Sequence, residues 1–330
     1  MTSVTQLYEQ RRFFIQTVDP VHIGTGGMRL GRVDNSIVRE PGTRLPKIPG
    51  TSLSGAIRQY AAFCYESKQC AGAGQGGGSK HCKDKRCPIC HTFGFLSGQD
   101  GGQSGTVSIG DAQLLVFPVH SLAGPVWVTC PAVLSEFGIT ESIPEKQKVG
   151  LPENLKTKNG HLNLGWLMLE KAGNEFAWPT QKISQVPVKI TERTVLISDN
   201  LFSRVVNSNL EVRTSVSIDP ETGAASDKAL FTYEAIPRAA ILWMDVVQDN
   251  YRNSFPTTEK KCRIEEIVKE EKKIKTYHHN DGEPLGETWA NPLDVVSAGL
   301  RLAEHLGIGG MGTRGFGRIK LLEKEKSNDS

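Results

Sequence analysis

The sequence predicts an α+β fold, and three observations carry that prediction. A strand-like stretch stands near the start, an amphipathic helix followed by a short strand stands near the end, and a long alternating hairpin pattern lies between them. Residues 12–19, "RFFIQTVD", mix aromatic and β-branched side chains and run into "PVHIGTGG", whose glycines end the strand in a turn. A loop then runs to "LPKIPG". Beyond it, "TSLSGAIRQYAAFCYE" places Leu53, Ile57, Tyr60 and Ala61 at helical spacing, with Thr51 or Ser52 as the cap. A basic loop therefore joins a strand to a helix. The next stretch, "AGAGQGGGSKHCKDKRCPICHTFGF", is too glycine-rich to pack as an element of its own and reads as an insertion. "GTVSIGDAQLLVFP" predicts a strand pair or one long strand, "VPVKITERTVLI" predicts a strand, and "LEVRTSVSIDPETGAASDKALFTYEAI" predicts a β-hairpin about its "DPETG" turn. "KKCRIEEIVKEEKKIK" spaces Ile264, Ile267, Val268 and Ile274 helically and predicts a charged surface helix without chemistry. "NPLDVVSAGLRLAEHL" is the amphipathic helix, followed by "GIGGMGTRGFGR" and the strand "IKLLE". The order strand, helix, strands, late helix, final strand is compatible with a ferredoxin-like sheet carrying large insertions.

At 330 residues the chain suffices for one large core or two modest ones. The reading is one elaborated domain over 1–330, with insertions at 69–92, about 200–237 and about 250–285. A net charge of +3 excludes an acidic, disordered chain but does not announce a nucleic-acid binder, so that case must rest on local clustering. The opening "MTSVTQLYEQRRFF" lacks the apolar core of a signal peptide, and no run approaches the ~18 apolar residues of a membrane span. The expectation is a soluble cytoplasmic protein with no membrane partner.

Of seven cysteines, Cys70, Cys82, Cys87 and Cys90 crowd into the insertion with the spacing C-x11-C-x4-C-x2-C. An odd, clustered set without a secretion signal points to metal or free thiols over disulfides. Four thiolates around a tetrahedral Zn²⁺ would order a segment too polar to fold alone, and a closed four-ligand site is structural, not catalytic. His81 and His91 each stand ready as a substitute ligand.

Gly307, Gly309 and Gly312 satisfy G-x-G-x-x-G, yet a helix precedes them and a strand follows, the reverse of a dinucleotide-binding unit. What remains is a glycine loop whose N–H groups at Gly309 and Gly312 can approach phosphate, with Arg314 and Arg318 beside it. The alternative is a turn before an edge strand. In the first loop, Arg29, Arg32, Arg39 and Lys47, with Arg58 on the next helix, would form a track along a phosphate backbone if they share a face; scattered surface charge is the alternative. Few aromatics lie nearby, which favours backbone holding over base stacking.

Asp34 sits in the middle of that positive charge. Arginines would keep it ionised, a poor general base but a good ligand for a divalent ion or orienter of a ribose 2′-hydroxyl. Glu40 is the nearest second carboxylate, roughly 20 Å away along extended chain. An internal salt bridge with Arg32 or Arg39 is the competing role.

Together, "PVHIGTGG", "GRVDNSIVRE", "LPKIPGTSLSGAIR", "HTFGFLSG", "LFTYEAIP" and "GIGGMGTRGFGR" resemble, in order and over nearly the whole chain, the RAMP superfamily, and within it the repeated backbone subunit of type III-B CRISPR effector complexes. The resemblance implies a ferredoxin-like (RRM-like) palm, the inserted zinc-binding segment, and a β-hairpin thumb around 205–235. It implies copies stacked along a CRISPR RNA with other subunits of the complex, each cutting the paired target RNA once. The family's catalytic aspartate falls on Asp34, acting with Mg²⁺ or Mn²⁺ while the target's own 2′-hydroxyl attacks. The implied RNA-binding set is His22, Arg29, Arg32, Arg39, Lys47, Ser54, Arg58, Gly309, Gly312, Arg314 and Arg318. Ser54 stands where the family often has lysine, which shifts weight to Arg58, and the cysteine cluster is more familiar in the type III-A equivalent. Three other readings follow from these features: the III-A subunit, a purely architectural RNA-holding subunit, and a CRISPR-RNA processing endonuclease using His22 as acid or base.

Overall fold

The computed structural model describes residues 7–26, 33–65, 67–72, 82, 87–96, 102–142, 144–145, 147–251, 255, 264–268, 271–275 and 289–323. Arg29, Arg32 and His81 lie outside the described residues. The main elements in chain order are β1 (Tyr8–Thr17), β2 (Lys47–Ile48), α1 (Gly50–Cys64), α2 (Pro88–Phe93), β3 (Val107–Ile109), β4 (Ala112–Val119) and β5 (Val126–Thr129). They continue with β6 (Thr194–Leu196), α3 (Asp199–Ser208), β7 (Glu211–Ile218), β8 (Ala225–Ala235), β9 (Ile241–Asp249), α4 (Pro292–Leu306) and β10 (Ile319–Leu322). The fold is α+β, as the order of sequence patterns implies.

The chain divides into two compact units, one of residues 14–48, 112–243 and 309–330, the other of residues 1–13, 49–111 and 244–308. The sheet of the first runs in the order β6-β5-β4-β9-β1-β10, with β2 against β4. It is mixed: β6 lies parallel to β5, whereas β4 with β5, β4 with β9 and β1 with β10 are antiparallel. Phe14 of β1, Leu115 and Val116 of β4, Ile241 and Trp243 of β9 and Leu322 of β10 share one buried cluster, which Phe176, Ile183 and Ile190 complete. Burial on this scale, ~25 cal/mol per Å² of apolar surface, is what holds strands so distant in sequence in one sheet.

In the second unit α1 packs on α4, and β3 pairs with the end of β9 through Val246↔Ile109. The sequence places the cap of α1 at Thr51 or Ser52, but the helix begins at Gly50, directly after Pro49, with no side-chain cap at its end. The Gly50 N–H donates instead to the Asp111 carboxylate at 2.7 Å, so a residue 61 positions away supplies the missing acceptor. The late helix carries its own capping box, Asn291 with Asp294. The two helices approach so closely that a Cβ on Gly299 would stand 2.4 Å from the Ile57 carbonyl oxygen. Gly299→Ala should therefore cost about 1–3 kcal/mol by forcing the helices apart. Denaturant unfolding checks it, and an unchanged midpoint would show that the contact relaxes freely.

Three local expectations fail. The predicted strand "VPVKITERTVLI" is a helical turn, Val188–Thr191, followed by β6; Pro187 starts the turn and only the β-branched end reaches the sheet. The charged helix expected within 250–285 is an antiparallel strand pair, Ile264–Val268 with Glu271–Lys275. Its register sets Glu266 across from Lys273, an arrangement that helical counting does not reveal. Third, the hairpin region at about 200–237 opens with helix α3, so the hairpin itself is β7 and β8 around an Asp219–Gly223 turn in which Asp219 accepts from the Glu221 N–H. No helix of the described residues is long and apolar enough to cross a membrane.

Candidate active site and candidate metal centre

The first loop is not loose where it is described. Its residues 34–36 run along the free edge of β8 and beside residues 23–25: the Asn35 N–H donates to the Thr232 carbonyl, the Glu234 N–H to the Asn35 carbonyl, and the Thr25 N–H to the Ser36 carbonyl. Asp34 is locked to Thr232 from three directions. Its Oδ2 accepts from the Thr232 N–H and from the Thr232 hydroxyl, both at 2.8 Å, and its own N–H donates to that hydroxyl at 2.9 Å. These bonds favour the charged form, so the carboxyl of Asp34 sits below the usual carboxylate range, first because of the Thr232 backbone N–H and then its hydroxyl. The Oδ1 atom carries no hydrogen bond among the described residues, and Asp34 has no ion pair among them.

The alternative salt bridge to Arg39 is absent because that guanidinium is used elsewhere. It donates to Glu234 at 2.6 Å and to Asn207 at 2.8 Å, with side-chain exposure of only 17% and 11% across the ion pair. Arg39 thus fastens the loop to β8 and α3 and leaves its charge spent. Lys47 is likewise paired, with Glu40 at 2.7 Å, which removes Glu40 as a second carboxylate for Asp34.

His22 is buried at 7% exposure, with Nδ1 2.6 Å from the Glu234 carbonyl and the Tyr233 ring edge-on against it. The glycine loop closes on the same backbone: the Gly310 N–H donates to the His22 carbonyl, and a Cβ on Gly309 would stand 2.5 Å from that oxygen. Gly309 also holds φ +81, so only glycine fits there. The first glycine, Gly307, is the C-cap of α4, and Gly312 opens a short 3₁₀ turn through Arg314. Arg314 is exposed and reaches Tyr233 Oη and Ser215 Oγ at 3.4 and 3.3 Å; Arg213 stacks over the Phe316 ring at 4.8 Å. Arg318 is engaged by Asp19, which it holds below the usual carboxylate range through hydrogen bonds and then charge. Of the predicted cations described in this unit, Arg314 is therefore the one left with neutral partners only.

Ser54 and Arg58 belong to the other unit. Sequence spacing assigns Arg58 to phosphate, but its Nε–H donates to the Cys70 carbonyl at 2.8 Å, and Nη2 is buried without a hydrogen-bond partner among the described residues. That puts a cation beside the cysteine segment. There, Cys70, Cys82, Cys87 and Cys90 place four sulfurs within 4.8 Å of one another, with pairs at 3.6 and 3.9 Å. A disulfide needs roughly 2.05 Å. A tetrahedron of thiolates at about 2.3 Å from a central ion has edges of roughly 3.8 Å, so the spacing fits a metal. The thiols compete for one charge: hydrogen bonds from the other three push Cys70 down and Cys87 up, and those with Cys70 and Cys82 push Cys90 up, so only a cation lets all four ionise. His91 is not in the cluster; it faces Thr106 and Phe255. Burial drives Cys64 to about 11 and Cys130 to about 12, which makes both poor nucleophiles at neutral pH.

A profile described as the RAMP superfamily matches residues 14–320. The chain belongs to the RAMP superfamily. Among RAMP proteins, the CRISPR system Cmr endoribonuclease Cmr4 of Pyrococcus furiosus is 30% identical over 258 residues, 69% of this chain and 78% of the relative. The Csm3 endoribonuclease of a CRISPR Cms system in Methanothermobacter thermautotrophicus is 37% identical over 76 residues, 22% of this chain and 28% of that one. In fold, this RAMP chain is similar to one in the cryo-EM structure of type III-B Cmr-beta bound to cognate target RNA, with TM-score 0.60, 16% identity and coverage of 96% and 98%. Within "LFTYEAIP" of this RAMP protein no spacing or charge pattern singles out a residue, yet Thr232, Tyr233 and Glu234 hold Asp34, His22 and Arg39. Only their partners, about 200 positions earlier, reveal what they do.

Proposed function

We propose that this RAMP protein is a backbone subunit of a type III CRISPR ribonucleoprotein. It stacks with further copies of itself and with other subunits along a CRISPR RNA in the cytoplasm, and it cleaves the paired target RNA at Asp34. The observation that carries this is the aspartate itself, fixed through Oδ2 by Thr232 with Oδ1 unengaged among the described residues. The Cmr4 relative's name supplies the reaction class. The sheet order β4-β9-β1-β10, with α1 after β1 and α4 after β9, supports a ferredoxin-like palm, and β7–β8 serves as the thumb.

One carboxylate oxygen among phosphates suits Mg²⁺ or Mn²⁺, which often take only one or two protein ligands. Asp34 would hold such an ion or orient the target's 2′-hydroxyl, whose oxygen attacks the adjacent phosphorus to give a 2′,3′-cyclic phosphate as the bond to the 5′-oxygen breaks; a bound ion would supply positive charge to that phosphate. Arg314 with the N–H groups near Gly312 neutralises backbone phosphate. His22, buried and bonded to the Glu234 carbonyl, serves the loop and is a poor acid or base for a processing endonuclease. Cys70, Cys82, Cys87 and Cys90 hold a structural zinc, the feature that also favours the type III-A equivalent as the second reading, together with the Csm3 match.

The test is reconstitution with guide RNA. Target RNA should be cut at regular intervals with Mg²⁺ or Mn²⁺, and chelation should stop cutting while guide binding persists. Guide-loaded complex that leaves its target intact with either ion would sink the catalytic part and leave the architectural one.

A further inference from the structure

We propose that Thr232 is a positioning residue for the reaction, fixing the Asp34 carboxylate so that Oδ1 alone faces the RNA. This deepens the reading of Asp34 as the cleavage residue and rests on it. An aspartate on a loop has two side-chain torsions to lose, and each wrong rotamer withdraws the reacting oxygen by ångströms. Thr232 removes that freedom. Its N–H and its hydroxyl both converge on Oδ2 at 2.8 Å, and the hydroxyl closes a ring by accepting from the Asp34 N–H at 2.9 Å. One backbone group and one side-chain group thereby select the same carboxylate oxygen, while the other is left without a partner among the described residues.

The scaffold behind Thr232 is rigid. It sits on β8 opposite Thr214 of β7, and its carbonyl accepts from the Asn35 N–H, so both of its outward backbone groups address the Asp34–Asn35 segment. The Arg39–Glu234 ion pair and the His22–Glu234 contact, two residues along the same strand, secure the loop independently. Thr232 is thus spared from holding the loop as a whole, and its hydroxyl is given over to the carboxylate and N–H of Asp34. The same hydroxyl favours the ionised form.

Thr232→Val keeps the shape, the β-branching and the backbone N–H but deletes the hydroxyl; Thr232→Ser restores the hydroxyl. In guide-loaded complex, Thr232→Val should leave assembly, guide binding and target KM unchanged and lower the cleavage kcat by roughly 10-fold. Thr232→Ser should keep the rate. A Thr232→Val complex that cuts at the normal rate, while Asp34→Ala is inactive, overturns the positioning role and leaves Asp34 standing. A parallel loss of assembly and cleavage that Ser does not rescue also overturns it, in favour of a structural hydroxyl. Normal cutting by Asp34→Ala itself overturns the underlying reading instead.

Discussion

Asp34→Asn is expected to abolish target cutting at the sites served by this subunit while leaving thermal stability, assembly and guide binding near normal. The amide keeps an oxygen that accepts from the Thr232 N–H and hydroxyl, so the attachment of the loop to β8 survives. It loses the charge that a hard divalent ion requires, and kcat should fall by roughly 100-fold or more. Asp34→Ala should be equally inactive but less well behaved, because it also removes the acceptor of the Thr232 N–H and hydroxyl. The pair of variants separates chemistry from structure. A purely architectural Asp34 requires the opposite pattern: Asn cuts normally and Ala loses assembly and cutting together. Sedimentation, melting and cleavage measured on the same preparations decide between them. The pH dependence has a definite sign as well. Thr232 depresses the Asp34 carboxyl, so its contribution is complete above the unfolded value of about 3.9 and is lost only as pH falls through the lower folded value. Any loss of cleavage by the wild type between about pH 7 and pH 5 must then come from another group.

Removing the cysteine-bound metal should have the second-largest effect. Freshly purified, reduced protein is expected to hold about one zinc per chain, and Cys90→Ser should abolish that stoichiometry by elemental analysis. Cys70, Cys87 and Cys90 lie buried among Ala61, Ala62, Ile89, Trp289, Val295 and Ala298, so a metal held by them would be part of the core between α1, α2 and α4. Losing a stabilisation on the order of 5 kcal/mol would lower the melting of that unit by roughly 10–20 °C. Zinc retention should fall as pH drops, because protons compete for the thiolates. Four thiolates and Zn²⁺ would leave a formal excess of negative charge, and the partly buried guanidinium of Arg58, with Nη2 out of solvent, would offset part of it. Arg58→Leu should therefore weaken zinc binding rather than RNA binding. Metal-free protein of unchanged melting temperature would show that the four sulfurs are a thiol cluster only.

The sequence alone determined the features that depend on neighbours within a turn or two. β1, α1, the β7–β8 hairpin and α4 follow from apolar spacing that repeats locally, and the cysteine spacing was enough to pick out the four residues whose sulfurs converge. Asp34 stood out because a single acid lay among arginines. Periodicity failed where it was ambiguous: Ile264, Ile267, Val268 and Ile274 satisfy a helical count, yet Ile264–Val268 and Glu271–Lys275 pair as antiparallel strands. Charge failed for a deeper reason. A sequence shows that Arg39, Lys47, Arg58 and Arg318 are cations but not where each guanidinium or ammonium finds its partner, and the fold turns them toward Glu234, Glu40, the Cys70 carbonyl and Asp19. The same holds for Asp34, whose partner Thr232 is 198 residues away and meets it only because the edge of β8 lies along the loop. Hydrogen bonds have a reach of about 3 Å, so which groups meet is set by the order of strands in the sheet, and that order is a property of the packed chain.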